Sequence, residues 1–532
     1  MTTEIIKKFI SFTKKSDLKD YYLSAGPARI QVDAFISKIA FIYEKIRNAI
    51  DYKEDHLLRK NAIQRIIWRR LNINLSSESM GLALIKELIR AGYLENNLIP
   101  EGKVEEADGI IEKYLTLMNL SAVKKGTREG NKLFRWLLSL AACEIEETLV
   151  PPLQHKALTN FAYQVLGKDI KIVDEKLKGG EKNLQVLIAI HRALIKSDIA
   201  MISYLAWKYY NPNWKEMDHK QVMQAAKKVQ NLKQAIDGQI NYHLSEKLLR
   251  LFKKYSIVFQ VLQEIILENP VEAEKIFNDP EELEFQIRTT CEKLYKKARK
   301  KLRRSILRVT IYIFITKMFL VLLLELPYEH FIAQSVIYLP LIINALFPPF
   351  LMLLVGLIIK VPSKKNTKMV VEVAHEMVYK GKIDKIAGVG QAVKRTPFMS
   401  FMFSLFYLIL FSASFGVTIA ILIKLSFTVL SICVFLLFLS LVSFFGIKIR
   451  QGVRELVIVA KKENPIAFLI NLLSLPFLRL GYWFSIKFAK INLFVFIFDF
   501  IIEAPFKIFL EVVEDWIAFL REKKEEIYNQ QQ

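Results

Sequence analysis

The sequence predicts an all-α protein in two parts. A cytosolic helical bundle is joined by one long continuous helix to a polytopic α-helical membrane domain. Three observations carry this prediction. Hydrophobic residues make up 52% of the 532 residues and phenylalanine counts 37, both high for a soluble chain. That excess lies mostly after residue 305, whereas the first 278 residues show apolar positions at helical spacing and no run of alternating β-branched residues. Between the halves, Asp279–Leu326 has no glycine or proline after Pro280. It would span roughly 70 Å as a helix.

The amino terminus, Met1 to Ile10, lacks the apolar core and small-residue cleavage site of a secretory signal. It is therefore expected to stay in the cytosol with the rest of residues 1–278. Within this part, Ile39, Ile42, Ile46 and Ile50 repeat at three and four, as do Leu82, Ile85, Leu88 and Ile89. Pro151-Pro152, Gly179-Gly180, Asn211-Pro212-Asn213 and Asn269-Pro270 punctuate the helices. A sub-boundary is expected near 167–180, where Lys and Gly cluster.

Three features here could carry function. Leu57 to Tyr93 resembles the rhythm of a winged-helix DNA binder, with Arg65, Arg69 and Arg70 as phosphate contacts. Residues 1–100 hold 17 Lys/Arg against 11 Asp/Glu, too even a balance for a basic face, so nucleic acid is not the expected partner. His191 and Asp198 are seven apart, but no third ligand or nucleophile lies nearby; a buried polar network is the better reading. Trp207, Tyr209, Tyr210 and Trp214 flank a turn and read as the plug of a helix corner.

The connecting helix starts with Asp279 as cap, Pro280 at the first position and Glu281 and Glu282 at the positive end of the dipole. Its middle is a basic collar: Lys296, Lys297, Arg299, Lys300, Lys301, Arg303 and Arg304. Such a collar before an apolar run marks the cytosolic side of a membrane entry and fits anionic headgroups. The net charge of +23 has the same explanation.

Four spans are expected, at 306–326, 331–359, 401–423 and 425–447, within a membrane domain ending at 447. The connection 360–398 carries nine Lys/Arg between Lys360 and Arg395, against Glu372, Glu376 and Asp384, whereas Leu326–His330 has none. This alternation predicts both termini in the cytoplasm of a multi-pass protein of the cell membrane. Pro340, Pro348 and Pro349 make a broken or re-entrant second span an expectation. Serines and glycines in the third and fourth spans predict a tight hairpin. Residues 448–532 are expected to form interfacial amphipathic helices and a charged tail, with Asp499, Glu503, Lys507, Glu511 and Asp515 on one stripe. Two further spans are the competing reading.

Polar residues at membrane depth are the candidate site: Lys317, Gln334 and Asn344. A lone cation at mid-bilayer costs about 2.5–3.5 kcal/mol on insertion scales, so Lys317 needs a reason to be there. No catalytic motif, metal spacing or cofactor loop is present. His375-Glu376 lacks its second histidine, because position 379 is Tyr379, and Gly388-Val389-Gly390 lacks a third glycine. Cys143, Cys291 and Cys433 are too sparse for a disulfide framework. The expected function is therefore non-enzymatic: a membrane-anchored scaffold that binds a protein partner through its cytosolic domain. The alternatives are a subunit of an oligomeric transporter or channel, using Lys317 and the second span, and a lipid-modifying enzyme. A homo-oligomer is expected under the transporter reading.

Overall fold

The computed structural model describes residues 3–490, except 15–17, 23–27, 49–53, 74–78, 122–125, 171, 175–176, 178, 333–336, 363, 384–388, 391–395 and 459–464. Isolated residues between 505 and 524 are also described. The tail stripe from Asp499 to Asp515 lies outside the described residues. The fold is helical throughout, as the spacing predicts. The named strands among the described residues are two of two residues each, Ile172–Val173 and Val389–Gly390, paired in parallel.

The amino-terminal body contains two hydrophobic cores. One gathers Ile63, Ile85, Leu88, Ile111, Tyr114, Leu137, Ile145, Trp207 and Val229. The other gathers Ile6, Phe9, Phe161, Val165, Phe259, Leu262, Phe277 and Leu283. Helix Gly179–Ile190 serves both: Leu184 and Ile188 face the first core, Val186 and Ile190 the second. Positions four apart share a helix face, so the alternate stripe is free for the other neighbour.

The second core also takes in chain from the membrane half. Val370, Ala374, Met377 and Val378, from the segment after the second membrane helix, are buried in it. So are Leu456 and Ile458, just after the fourth membrane helix. Asn366 ties these pieces: its Nδ2 donates to Tyr295 Oη and to the Leu456 carbonyl, each at 2.8 Å, and its Oδ1 accepts from the Ile458 amide at 2.8 Å. Thr3 Oγ1 donates to the Val378 carbonyl at 3.1 Å.

The connecting helix runs unbroken in α form over Pro280–Leu320. Asp279 Oδ1 accepts from the amides of Glu281 and Glu282, the cap that the sequence predicts. All seven collar residues are exposed, while Cys291, Leu294, Tyr295 and Leu302 pack inward. The helix then continues through a wide turn, Val321–Glu325, and a last turn, Leu326–Phe331. It thus extends past 326, and the return helix begins at Tyr338, not at 331.

Among the described residues, five helices are long and apolar enough to cross a membrane. Beyond the first they are Tyr338–Ile358, Pro397–Lys424, Val429–Arg454 and Pro465–Lys490. The last falls where the sequence pattern predicts an interfacial helix. Pro476 and Arg479 weaken its apolar signal, yet both are accommodated within one helix. Arg479 lies over the Tyr407 ring at 5.1 Å, where a cation is favoured on an aromatic face.

Two further expectations change. The second membrane helix is continuous through Pro348 and Pro349, both buried, and is neither broken nor re-entrant. Missing proline amides leave the carbonyls of Asn344 and Ala345 without their helical donors, but the helix does not have to bend back. The third and fourth helices do not pair as a tight hairpin. They part from their turn, and the fifth lies against both. A β-carbon on Gly481 would meet the Ser440 carbonyl oxygen at 2.1 Å, and one on Gly446 would meet Val355 Cγ1 at 2.7 Å. The small residues of the fourth helix therefore serve the second and fifth helices. A β-carbon on Gly416 of the third would meet nothing within 4 Å among the described residues.

Candidate functional site: a buried polar network among three membrane helices

The apolar and polar faces of the first membrane helix are reversed relative to a water-soluble helix. Ile315 and Phe319 are 61% exposed, while Lys317 and Glu325 are fully buried. Large exposed apolar belts mean a non-aqueous surrounding, and ionisable groups in such helices face the bundle interior.

Lys317 Nζ meets Glu325 Oε1 at 2.7 Å. Its ammonium also stands 5.1 Å from the centroid of the Phe438 ring on the fourth helix. Asn344, from the second helix, donates through Nδ2 to Glu325 Oε2 at 2.5 Å and to the Ser431 carbonyl at 3.2 Å. Ser431 Oγ, from the first turn of the fourth helix, is 3.3 Å from Glu325 Oε2 and 3.4 Å from Glu329 Oε1. Glu329 Oε2 and Asn344 Oδ1 are buried without a hydrogen-bond partner among the described residues.

The pairing of Lys317 with Glu325 depends on the wide turn. Residues eight apart on a regular helix sit about 800° apart, roughly 80° out of phase. In Val321–Glu325 the ladder widens, and the Leu326 amide donates to the Val321 carbonyl five residues back. One residue is absorbed in the turn, so the effective offset is seven residues, about 700°, within roughly 20° of two full turns. Pro327 gives the turn its cause. It lacks the N–H that would meet the Leu323 carbonyl, and its ring would press on that carbonyl in a regular helix.

Of the sequence candidates, Lys317 and Asn344 thus enter one network through Glu325. Gln334 lies outside the described residues. Regular helical projection misses Glu325, Glu329 and Ser431. Pro327 was the available signal, because a proline at the end of an apolar helix implies a local change of phase.

The amino-terminal candidates go elsewhere. Arg65 bonds to Glu44 and Arg69 to Glu87, so both face internal carboxylates. His191 Nδ1 lies 3.4 Å from Ser197 Oγ, while Asp198 caps the next helix at Met201 and pairs with Lys60 at 2.5 Å. Burial pushes His191 down to about 4, so the ring is neutral at pH 7. Trp214 Nε1 and Tyr114 Oη both donate to Glu144 Oε2, at 2.7 and 2.8 Å, and the Trp207 and Trp214 rings meet edge-on at 4.9 Å. These residues plug a helix corner. His375 stacks edge-on with Tyr379 at 5.5 Å, with no acid–base partner shown for its Nε2. Among the described residues, no group of three or more His, Cys, Asp or Glu is placed to hold a metal ion.

No family model, no curated protein and no solved structure matches this chain.

Proposed function

We propose that the chain is a non-enzymatic membrane-anchored interaction protein, whose amino-terminal body faces the cytosol and binds a protein partner. The observation that carries this reading is the shared core. Val370, Ala374, Leu456 and Ile458 from the membrane half are packed with Phe259 and Phe277 of the body. A body so fixed to its anchor presents its surface in one orientation to the membrane, which suits recruitment. The collar supports a cytosolic placement against anionic lipid, at about 1 kcal/mol per basic residue near the surface. Val513 and Ile517 pack against Ala40, which favours both ends of the chain on the collar side and an even number of crossings, so either one of the five apolar helices does not cross or the chain crosses once more after residue 490. Placement in the cell membrane belongs to the same proposal.

The test uses the whole chain, because the body borrows residues from the membrane half. Affinity purification of the full chain from native membranes is expected to bring down a stoichiometric protein partner. Recovery of the chain alone, with solute flux in proteoliposomes, would reject the scaffold reading. Cysteines introduced at Ser11 and Lys524, both exposed, are expected to label from the same side.

The buried network favours a second reading, a subunit of an oligomeric transporter or channel. Flux or conductance that disappears in Lys317→Met but survives in Lys297→Gln would support it. Equal flux in both would remove its central residue.

A further inference from the structure

Hydrogen and charge accounting in the network leave one positive charge missing. Lys317 contributes one positive charge; Glu325 and Glu329 contribute two negative charges if both are ionised. All three side chains are at most 2% exposed. An uncompensated carboxylate in such a place is too costly to persist, so it must take up a cation or a proton. Among the described residues, other charged or titratable groups do not supply the charge. The second helix carries no acid or base over Tyr338–Ile358 apart from the exposed Tyr338. The fourth offers only the exposed Cys433 before Lys448. His330 and Lys424 are exposed. The backbone amide of Ile337 is directed at the Glu329 carboxyl group and adds only a partial charge.

Ser431 narrows the choice. Its hydroxyl has one hydrogen, yet it stands within hydrogen-bond distance of a carboxylate oxygen on each side. It can donate to one of them. The other contact is repulsive unless that oxygen bears a hydrogen of its own. Glu325 already receives the ammonium and the Asn344 amide, so it is the stabilised anion. Glu329 has an oxygen with no partner among the described residues, which a neutral acid tolerates as its carbonyl far better than a carboxylate does. The two N–H donors turned toward Glu325 close that carboxylate to a metal cation, and the alkali-salt arm of the test below distinguishes a proton from a cation at Glu329.

We infer that Glu329 binds one proton in the resting state, as a neutral acid donating to Ser431 Oγ, while Ser431 donates to Glu325. The inference goes beyond the scaffold proposal and holds whether or not the protein transports anything. The same geometry permits a balanced shift. The O–H bond of Glu329 breaks as its hydrogen passes to Ser431 Oγ. The Ser431 hydrogen passes to Glu325 Oε2, forming a new O–H bond there. No charge is gained or lost, but the anion moves from Glu325 to Glu329 and Lys317 loses its ion-pair partner.

Infrared difference spectroscopy of the full chain in lipid nanodiscs, at pH 7 without alkali salts, tests this. A carboxylic-acid carbonyl band is expected, shifted in deuterated water, lost in Glu329→Gln and retained in the control Glu372→Gln. Ser431→Ala is expected to move the band without removing it, which keeps the test alive if Glu329→Gln does not fold. A wild-type spectrum without the band overturns the inference. So does a band that persists in Glu329→Gln, or one that disappears on adding sodium or potassium, which would assign the site to an alkali ion.

Discussion

The amino-terminal body and the membrane bundle both bury charges, but for different physical ends. In the body, acids and bases meet in pairs, Arg59 with Glu146 at 2.8 Å, Arg65 with Glu44 at 3.0 Å and Lys60 with Asp198 at 2.5 Å. Arg59–Glu146 and Lys60–Asp198 join elements whose cohesion comes from the apolar core around Ile145, Ile63 and Ile67, and Arg65 ties the helix Ala34–Asn48 to that core through Glu44. The pairs there set register, while water exclusion supplies the driving force. In the bundle most large apolar side chains point outward, around small interior clusters such as Ile313, Met352, Phe438 and Val442, and lipid is as good a solvent for them as a neighbouring helix. Cohesion must come from close backbone approach and from polar contacts. Gly481 against Ser440, and Lys317, Glu325, Asn344 and Ser431 in one knot, provide both. Loss of one polar partner should therefore matter more in the bundle than in the body.

The largest expected effect probes that contrast directly. Glu325→Leu leaves the Lys317 ammonium buried and unpaired, at a cost of about 3–5 kcal/mol in unfolding free energy. The double variant Lys317→Met, Glu325→Leu is expected to recover most of it, and thermal unfolding in detergent measures both. A double variant no better than the single one would mean that the pair contributes more than mutual neutralisation.

Acid provides the matching probe of the body. His155 and His191 are each pushed down to about 4 by burial first, with neighbouring positive charge adding to it. Unfolded, they titrate near 6.5, so between pH 6.5 and 4 the unfolded chain binds more protons. Stability is then full above pH 6.5 and falls as pH drops, by on the order of 2–3 kcal/mol per histidine at full protonation. His155→Gln is expected to flatten that slope in urea unfolding of the full chain; an unchanged slope contradicts the assignment.

Gly481→Leu would force the fourth and fifth helices apart, since the obstacle is the Ser440 backbone. A loss of about 1–3 kcal/mol is expected, the usual range for overpacking. Crosslinking between the two helices should fall with it. Trp214→Phe removes one donor from Glu144 and should cost about 1–2 kcal/mol, read from unfolding midpoints. The smallest effect is expected at Arg288→Ala, an exposed partner of Glu284 four residues earlier on the connecting helix. Its change should stay below about 0.5 kcal/mol.

Much of this architecture was legible from residue order. The cap at Asp279, the collar and the long helix follow from local chemistry, and local chemistry is what a linear reading captures. Asn344 and Lys317 were visible because a polar group inside an apolar run is conspicuous. Their partners were not. Glu325 and Glu329 lie at the end of the run, where an acid reads as a loop, and a wide turn rotates Glu325 into place. Helix pairing was the least legible. Serines and glycines show that a helix is approached closely but not by which neighbour, so Gly446 and Ser440 were assigned to the wrong partner. The fifth helix was obscured because Arg479 counts against a span until Tyr407 is seen beneath it.

The hydrogen bond from Thr3 to Val378 joins residues 375 apart in the chain. On a ribosome adding about 5–20 residues per second, roughly 20–75 s separate their syntheses. The first helix, Glu4–Lys14, therefore waits through membrane insertion of two helices before its neighbourhood is complete. Its apolar face, Ile6, Phe9 and Ile10, can begin to close once Leu153–Ala162 has been made, because Phe9 stacks on Phe161 at 4.5 Å. The side of that core formed by Val370, Ala374 and Val378 is added only after the interval. Fragments that end before Val370 lack that side and should be less stable for the same reason.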